Sequence, residues 1–122
     1  MNRRHALLAC LALFTAPFAT GGVAADVERG AVVAIGGGLR DDNHAVWSRL
    51  VALAGGPGAP FVVLPTASST PASAGAEAAA ALAVHGAKAE VLPVSPRLEG
   101  TDVQRAVRDP ELVAKVRAAR GV

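Results

Sequence analysis

Residues 32–42 read VVAIGGGLRDD: a short apolar run, three consecutive glycines, an arginine between apolar and acidic neighbours, and two acids. A continuous run such as Ala31–Ile35, without polar alternation, is the signature of a parallel strand covered on both faces. The segment after the acids bears on whether the glycines close a strand-to-helix turn or cradle a ligand. The stretch 43–56, NHAVWSRLVALAGG, places Val46, Leu50 and Leu53 on one helical stripe with Trp47 and Val51 beside it. Asp42 or Asn43 is positioned to cap its start and Gly55 to end it.

The same unit then recurs. PFVVLP predicts a second buried strand over Phe61–Leu64, and ASAGAEAAAALAVHG an alanine-rich helix ending at Gly86. AEVLPV predicts a third strand over Ala89–Val94, with Pro93 marking a bulge or an edge. Thr101 and Asp102 open a short helix. A last helix has Asp109 as cap, Pro110 in its first turn and Gly121 as terminator. The order β-α-β-α-β-α implies a layered α/β fold with a parallel sheet. The closing Gly121-Val122 reads as the first two residues of a fourth strand, so the expectation is the N-terminal part of a longer domain, truncated to its first three β-α units. Its open sheet edges would then be exposed, with partial unfolding or a possible homodimer as the consequence.

The N-terminus has its own pattern. MNRRHALLACLALFTAPFATGGVAAD carries Arg3 and Arg4, an apolar run from Ala6 to Ala19 and the small-residue sequence Val23-Ala24-Ala25, the layout of a secretory signal peptide over residues 1–25. The run is shorter than the ~20 residues of a membrane span and is interrupted by Pro17, which argues against a stable membrane anchor. Cys10 sits too early in it for a lipid-modified cysteine. Cleavage before Asp26 is expected, with a periplasmic or extracellular product occupying residues 26–122.

Removing this leader alters the charge balance. The chain has 12 Lys+Arg and 10 Asp+Glu; the leader holds two arginines and no acid, so the mature chain would carry ten of each sign. The charges are interspersed rather than gathered on one face, which gives no electrostatic footprint for nucleic acid. The one cysteine leaves with the leader, so neither a disulfide nor a thiolate metal site is expected in the mature chain.

The ordered set of segments carries a resemblance. GAVVAIGGGLRDD, LVALAGGPGAPFVVLPTASS and LAVHGAKAEVLPV, in that order and spacing, resemble the opening of the cyanophycinase-like serine peptidases, relatives of the aspartyl dipeptidase called peptidase E. The shared features are a strand into Ile-Gly-Gly-Gly, a helix ending in Ala-Gly-Gly, a strand into Pro-Thr-Ala-Ser, and Gly-Ala before the third strand. The resemblance implies a three-layer α/β sandwich with the class I glutamine amidotransferase-like, flavodoxin-like topology, and a nucleophilic serine on a strand-to-helix elbow. It also implies hydrolysis of aspartyl peptide bonds, as in the release of β-Asp-Arg dipeptides from cyanophycin, with a peptide as partner and no cofactor. The family pattern continues into Gly-Gly-Asp-Gln, then Gly-Thr-Ser-Ala-Gly-Ala with the nucleophile, and later a histidine. None of these is found where expected here, so no catalytic residue is assigned and the chain alone is expected to be inactive.

Ser73-Ala74-Gly75-Ala76 matches the last four letters of the nucleophile motif, but Ser73 lies well past Pro65 and Pro71 stands where the elbow has its first glycine. An elbow needs the serine directly at a strand's end, beside backbone N–H donors. Ser73 is therefore read as a loop or helix-start residue. Gly36, Gly37 and Gly38 do not match G-x-G-x-x-G, and no Lys-Ser/Thr follows them, which disfavours dinucleotide or phosphate-loop binding. Two readings of these glycines stand: a turn requiring positive φ, or one wall of a substrate pocket at the carboxyl end of a strand, where open α/β sheets bind ligands. The second reading also admits a non-catalytic secreted module that takes a small anion. Thr66 and Ser68 are pocket candidates on the same argument, with local turn bonding as the alternative. Asp41 and Asp42 suit helix capping better than cation binding, and no metal site is expected. His44 is expected to be solvated, and His85 to favour the dipole at a helix end.

Overall fold

The computed structural model describes residues 30–122, and the expected leader over residues 1–25 lies outside the described residues. The elements in chain order are α1 (His44–Leu53), β1 (Pro60–Val63), α2 (Pro71–Val84), β2 (Lys88–Val91), α3 (Val103–Ala106) and α4 (Pro110–Ala118). β1 and β2 form a parallel ladder with Phe61 opposite Ala89 and Val63 opposite Val91. The fold is mixed α/β around this two-stranded sheet.

α1, α3 and α4 start where a polar side chain satisfies a free amide, whereas the Thr70 side chain makes no such bond at the start of α2. The Asn43 side chain accepts from the Val46 N–H, Asp102 from Arg105 and Asp109 from Glu111. Pro71 and Pro110 occupy first-turn positions, where the missing N–H costs nothing. Asp42, expected as an alternative cap for α1, instead takes both bonds of the Arg40 guanidinium at 3.0 and 2.8 Å.

The main core cluster forms on one face of the sheet, while Val62 is buried on the other. Phe61 is buried with Trp47, Val51, Ala54, Ala81 and Leu82, with Val63 and Ala89 packed against them. α1 and α2 therefore cover the same face. Val91 lies on that face too, and a Cβ placed on Gly75 of α2 would stand 2.7 Å from a Val91 methyl, so a bare glycine lets α2 approach the ladder. Successive strand side chains point to opposite faces. The neighbouring Glu90 accordingly points the other way and pairs with Lys115 of α4. Helices thus lie on both faces of the sheet, although α4 has no fully buried residue: Leu112 and Val113 are half-buried and Val116 is 37% exposed.

The Glu90 contact sets a pH dependence. Its hydrogen bond and charge hold the Lys115 ammonium above its ordinary pKa of 10.5. A group whose pKa is raised by folding contributes fully below its unfolded value and loses that contribution as pH rises through the folded one. Urea midpoints should therefore fall as pH climbs past 10.5, and Lys115→Met should flatten that limb. The pair is exposed, so the effect is small. An alkaline limb identical in the variant would show that the contact does not persist in solution.

The expected first strand, Ala31–Ile35, is not formed. Its residues have no ladder partner, and Val32 is 98% exposed. The edge of β1 away from β2 is engaged instead by the C-terminal segment. Val62 N–H donates to the Gly121 carbonyl at 2.9 Å, and Arg120 N–H donates to the Pro60 carbonyl at 2.8 Å. Gly121 forms an isolated parallel bridge with Phe61. It is not the helix terminator the sequence suggested: α4 stops at Ala118, and Ala119 is already extended. Glycine is required at 121 because a Cβ there would fall 2.1 Å from the Phe61 ring. The third strand is shorter than expected, ending at Val91, although Leu92 N–H still reaches the Val63 carbonyl at 3.0 Å. Pro93, with no N–H to donate, comes next. Among the described residues no helix is long and apolar enough to cross a membrane.

Candidate functional site

The parallel ladder gives the sheet a carboxyl edge, where both strands end, and an amino edge, where both begin. Thr66 and Ser68 follow β1 and Ser95 and Arg97 follow β2, so all four stand at the carboxyl edge. Arg97 joins the two loops: its guanidinium donates to the Ser68 carbonyl at 3.2 Å, and its backbone N–H donates to the Ser95 hydroxyl at 3.4 Å. Ser95 is fully buried, which fixes the base of the loop, whereas Arg97 is exposed and retains further N–H donors toward solvent. The Ser68 hydroxyl accepts from the Thr70 N–H at 3.0 Å, the local turn bond expected as its alternative role.

Arg97 escapes a reading of the sequence because a lone arginine in a Pro-Arg-Leu-Glu stretch carries no local sign of a site. Two loops ending on neighbouring parallel strands are the clue, since open α/β sheets place ligands there.

The glycine segment has different attachments. The Trp47 indole N–H donates to the Arg40 carbonyl at 3.1 Å, and Leu39 packs against the core cluster. Gly38 has φ +82°, as the turn reading requires, while Gly36 and Gly37 have no positive φ. Nothing lies within 4 Å of a Cβ placed on Gly36, Gly37 or Gly38. The three glycines are exposed and border open space, and the bonds that fix their flank lead to α1, not to Thr66 or Ser68.

Ser73 stands in the first turn of α2 and donates its hydroxyl proton to the Thr70 carbonyl at 3.2 Å. An activated serine gives that proton to a base instead. A shallow cleft between α3 and α4 is lined by Asp102 and Asp109, whose carboxylates are already engaged in capping. Among the described residues no group of three or more His, Cys, Asp or Glu side chains is placed to hold a metal ion.

His44 and His85 make a contact that neither residue's neighbours suggest. His44 Nδ1 lies 3.3 Å from His85 Nε2, with ring centroids 5.4 Å apart and planes tilted by 46°. His85 Nδ1 is 2.8 Å from the Ala81 carbonyl one turn earlier in α2. His85 precedes β2, so the pair belongs to the amino edge of the sheet, the end opposite Arg97.

No protein-family model matches the chain, and no solved structure matches it.

Proposed function

We propose that this chain supplies the opening β-α units of an exported, cyanophycinase-like serine peptidase with the class I glutamine amidotransferase-like topology, and that its carboxyl edge contributes to binding an aspartyl peptide. The observation that carries the reading is the pairing of loops after two parallel strands, with Arg97 bonded to the Ser68 carbonyl at the edge where α/β folds bind ligands. Guanidinium is the side chain best matched to a carboxylate, offering a planar fork of donors. A β-aspartyl peptide presents such carboxylates. Export rests on the pattern of residues 1–25.

Within this reading no residue of these 122 is assigned as the nucleophile, because Gly-Thr-Ser-Ala-Gly is not found among them. The chain alone should bind cyanophycin without releasing dipeptide. Arg97→Ala should weaken that binding by roughly ten- to a hundredfold, the loss of a charge-assisted hydrogen bond of about 1.5–3 kcal/mol. Sedimentation with cyanophycin granules and a dipeptide-release assay are the measurements. Dipeptide release abolished by Ser73→Ala would overturn the assignment of that serine. Absence of cyanophycin binding, with a small anion bound at Gly36–Gly38 instead, would favour the non-catalytic module.

A further inference from the structure

We propose that His44 and His85 form a two-histidine site for a divalent transition-metal ion of the copper or zinc class. The argument begins with tautomers. His85 Nδ1 faces the Ala81 carbonyl, which can only accept, so the proton of neutral His85 resides on Nδ1 and the Nε2 lone pair is left bare. That lone pair points at His44 Nδ1, 3.3 Å away. A metal-binding histidine commonly has this arrangement, in which one ring nitrogen is anchored to a backbone carbonyl and the other is free to ligate.

The separation fits the ion. Two nitrogens bound at ~2.0–2.1 Å with a tetrahedral angle between them stand about 3.3 Å apart. The pair therefore already has the spacing of two ligands on one metal, and insertion requires the proton between the rings to leave and each ring to turn its lone pair from its neighbour toward the ion, not a rearrangement of the chain. The frame is firm on the His85 side, where Gly86 N–H donates to Ala83 and Ala87 N–H to Leu82, closing α2. On the other side His44 is the first residue of α1, which is held by Asn43 and by buried Trp47. Imidazole donors select copper, zinc and nickel over magnesium and calcium, which take oxygen. With two protein ligands the remaining positions stay open to water or to an anionic ligand. The sequence could not show this site, since its two residues are 41 positions apart and neither belongs to a spaced ligand motif.

The test uses the purified full chain titrated with Cu²⁺ and Zn²⁺, with Mg²⁺ and Ca²⁺ as controls. Trp47, the single tryptophan and three residues from His44, reports Cu²⁺ by loss of emission, and calorimetry reports stoichiometry. One ion per chain is expected, with proton release on binding. His44→Ala and His85→Ala should each weaken affinity at least about tenfold, the lower end of what even an outer partner of a metal ligand contributes. His5→Ala, which removes the third histidine, should leave it unchanged. Should either variant fold poorly by circular dichroism, ¹⁵N spectra of wild-type imidazoles decide the matter. Zn²⁺ should then shift His44 Nδ1 and His85 Nε2 and leave His85 Nδ1 protonated. Binding unaffected by both substitutions, binding that follows His5, or an absence of shift at those two nitrogens overturns the proposal.

Discussion

Phe61→Ala should destabilise the domain by about 3–5 kcal/mol, the range for truncating a buried phenylalanine. Phe61 is 7% exposed and joins two parts of the structure. On the core face its ring packs in the cluster of Trp47, Val51, Ala81 and Leu82. The same ring lies directly over Gly121, so close that only glycine fits beneath it. Truncation thus opens a cavity and removes the apolar cover of the bridge between Gly121 and β1.

Domains of this size have about 5–15 kcal/mol in total, so the variant should approach the edge of folding. A urea melt followed by Trp47 emission measures the loss, and Phe61→Leu should restore part of it. Hydrogen exchange separates the two roles. Val62 N–H, bonded to the Gly121 carbonyl, should lose more protection than Ala87 N–H, which closes α2 on Leu82. A loss below about 1.5 kcal/mol, well under the usual range, would place the ring outside the core.

The same residue shows where a sequence is legible and where it is not. Phe61–Val63 announces itself as a buried strand because it is a continuous apolar run between turn residues. Asn43, Asp102, Asp109 and Pro110 announce helix starts because capping is a local transaction between a side chain and amides two or three residues on. Ala31–Ile35 is as apolar as Phe61–Val63, and its composition favours a strand equally. A strand also needs a partner to pair with, and pairing is a non-local property that Ala31–Ile35 does not acquire on either strand. The edge of β1 is engaged by Arg120 and Gly121, far along the chain from Ala31. Gly121 deceives for the same reason: a glycine after a helix is the usual terminator, and only the Phe61 ring above it reveals a requirement for close approach. At the candidate sites, Thr66 and Ser68 are legible from their place after a strand. Arg97 and the His44–His85 pair depend on which loops the ladder brings together, and local pattern carries no record of that.

Trp47 should prove the other position at which one substitution has a large effect, with Trp47→Ala costing about 3–5 kcal/mol. The side chain is 8% exposed and lies in the core cluster with Val51 and Phe61, so most of that loss is cavity and lost contact. Its indole N–H adds a smaller, separable part. The Arg40 carbonyl accepts from both Trp47 Nε1 and the Asn43 N–H, the latter at 3.0 Å. Removing one donor leaves that carbonyl still bonded, and the penalty for the hydrogen bond should sit near the low end of the usual range of about 0.5–1.5 kcal/mol. Trp47→Phe keeps a large ring in the core and deletes the donor, so it should lose much less than Trp47→Ala. The substitution removes the fluorescent probe, and the melts are followed by far-ultraviolet circular dichroism. The indole bond also ties the glycine segment to α1, so Trp47→Phe should speed amide exchange across residues 38–42 while leaving α2 protected. Equal losses for the two variants would mean that the hydrogen bond, and not the packed ring, holds α1 in place; unchanged exchange at 38–42 would mean that the segment is anchored through Leu39 alone.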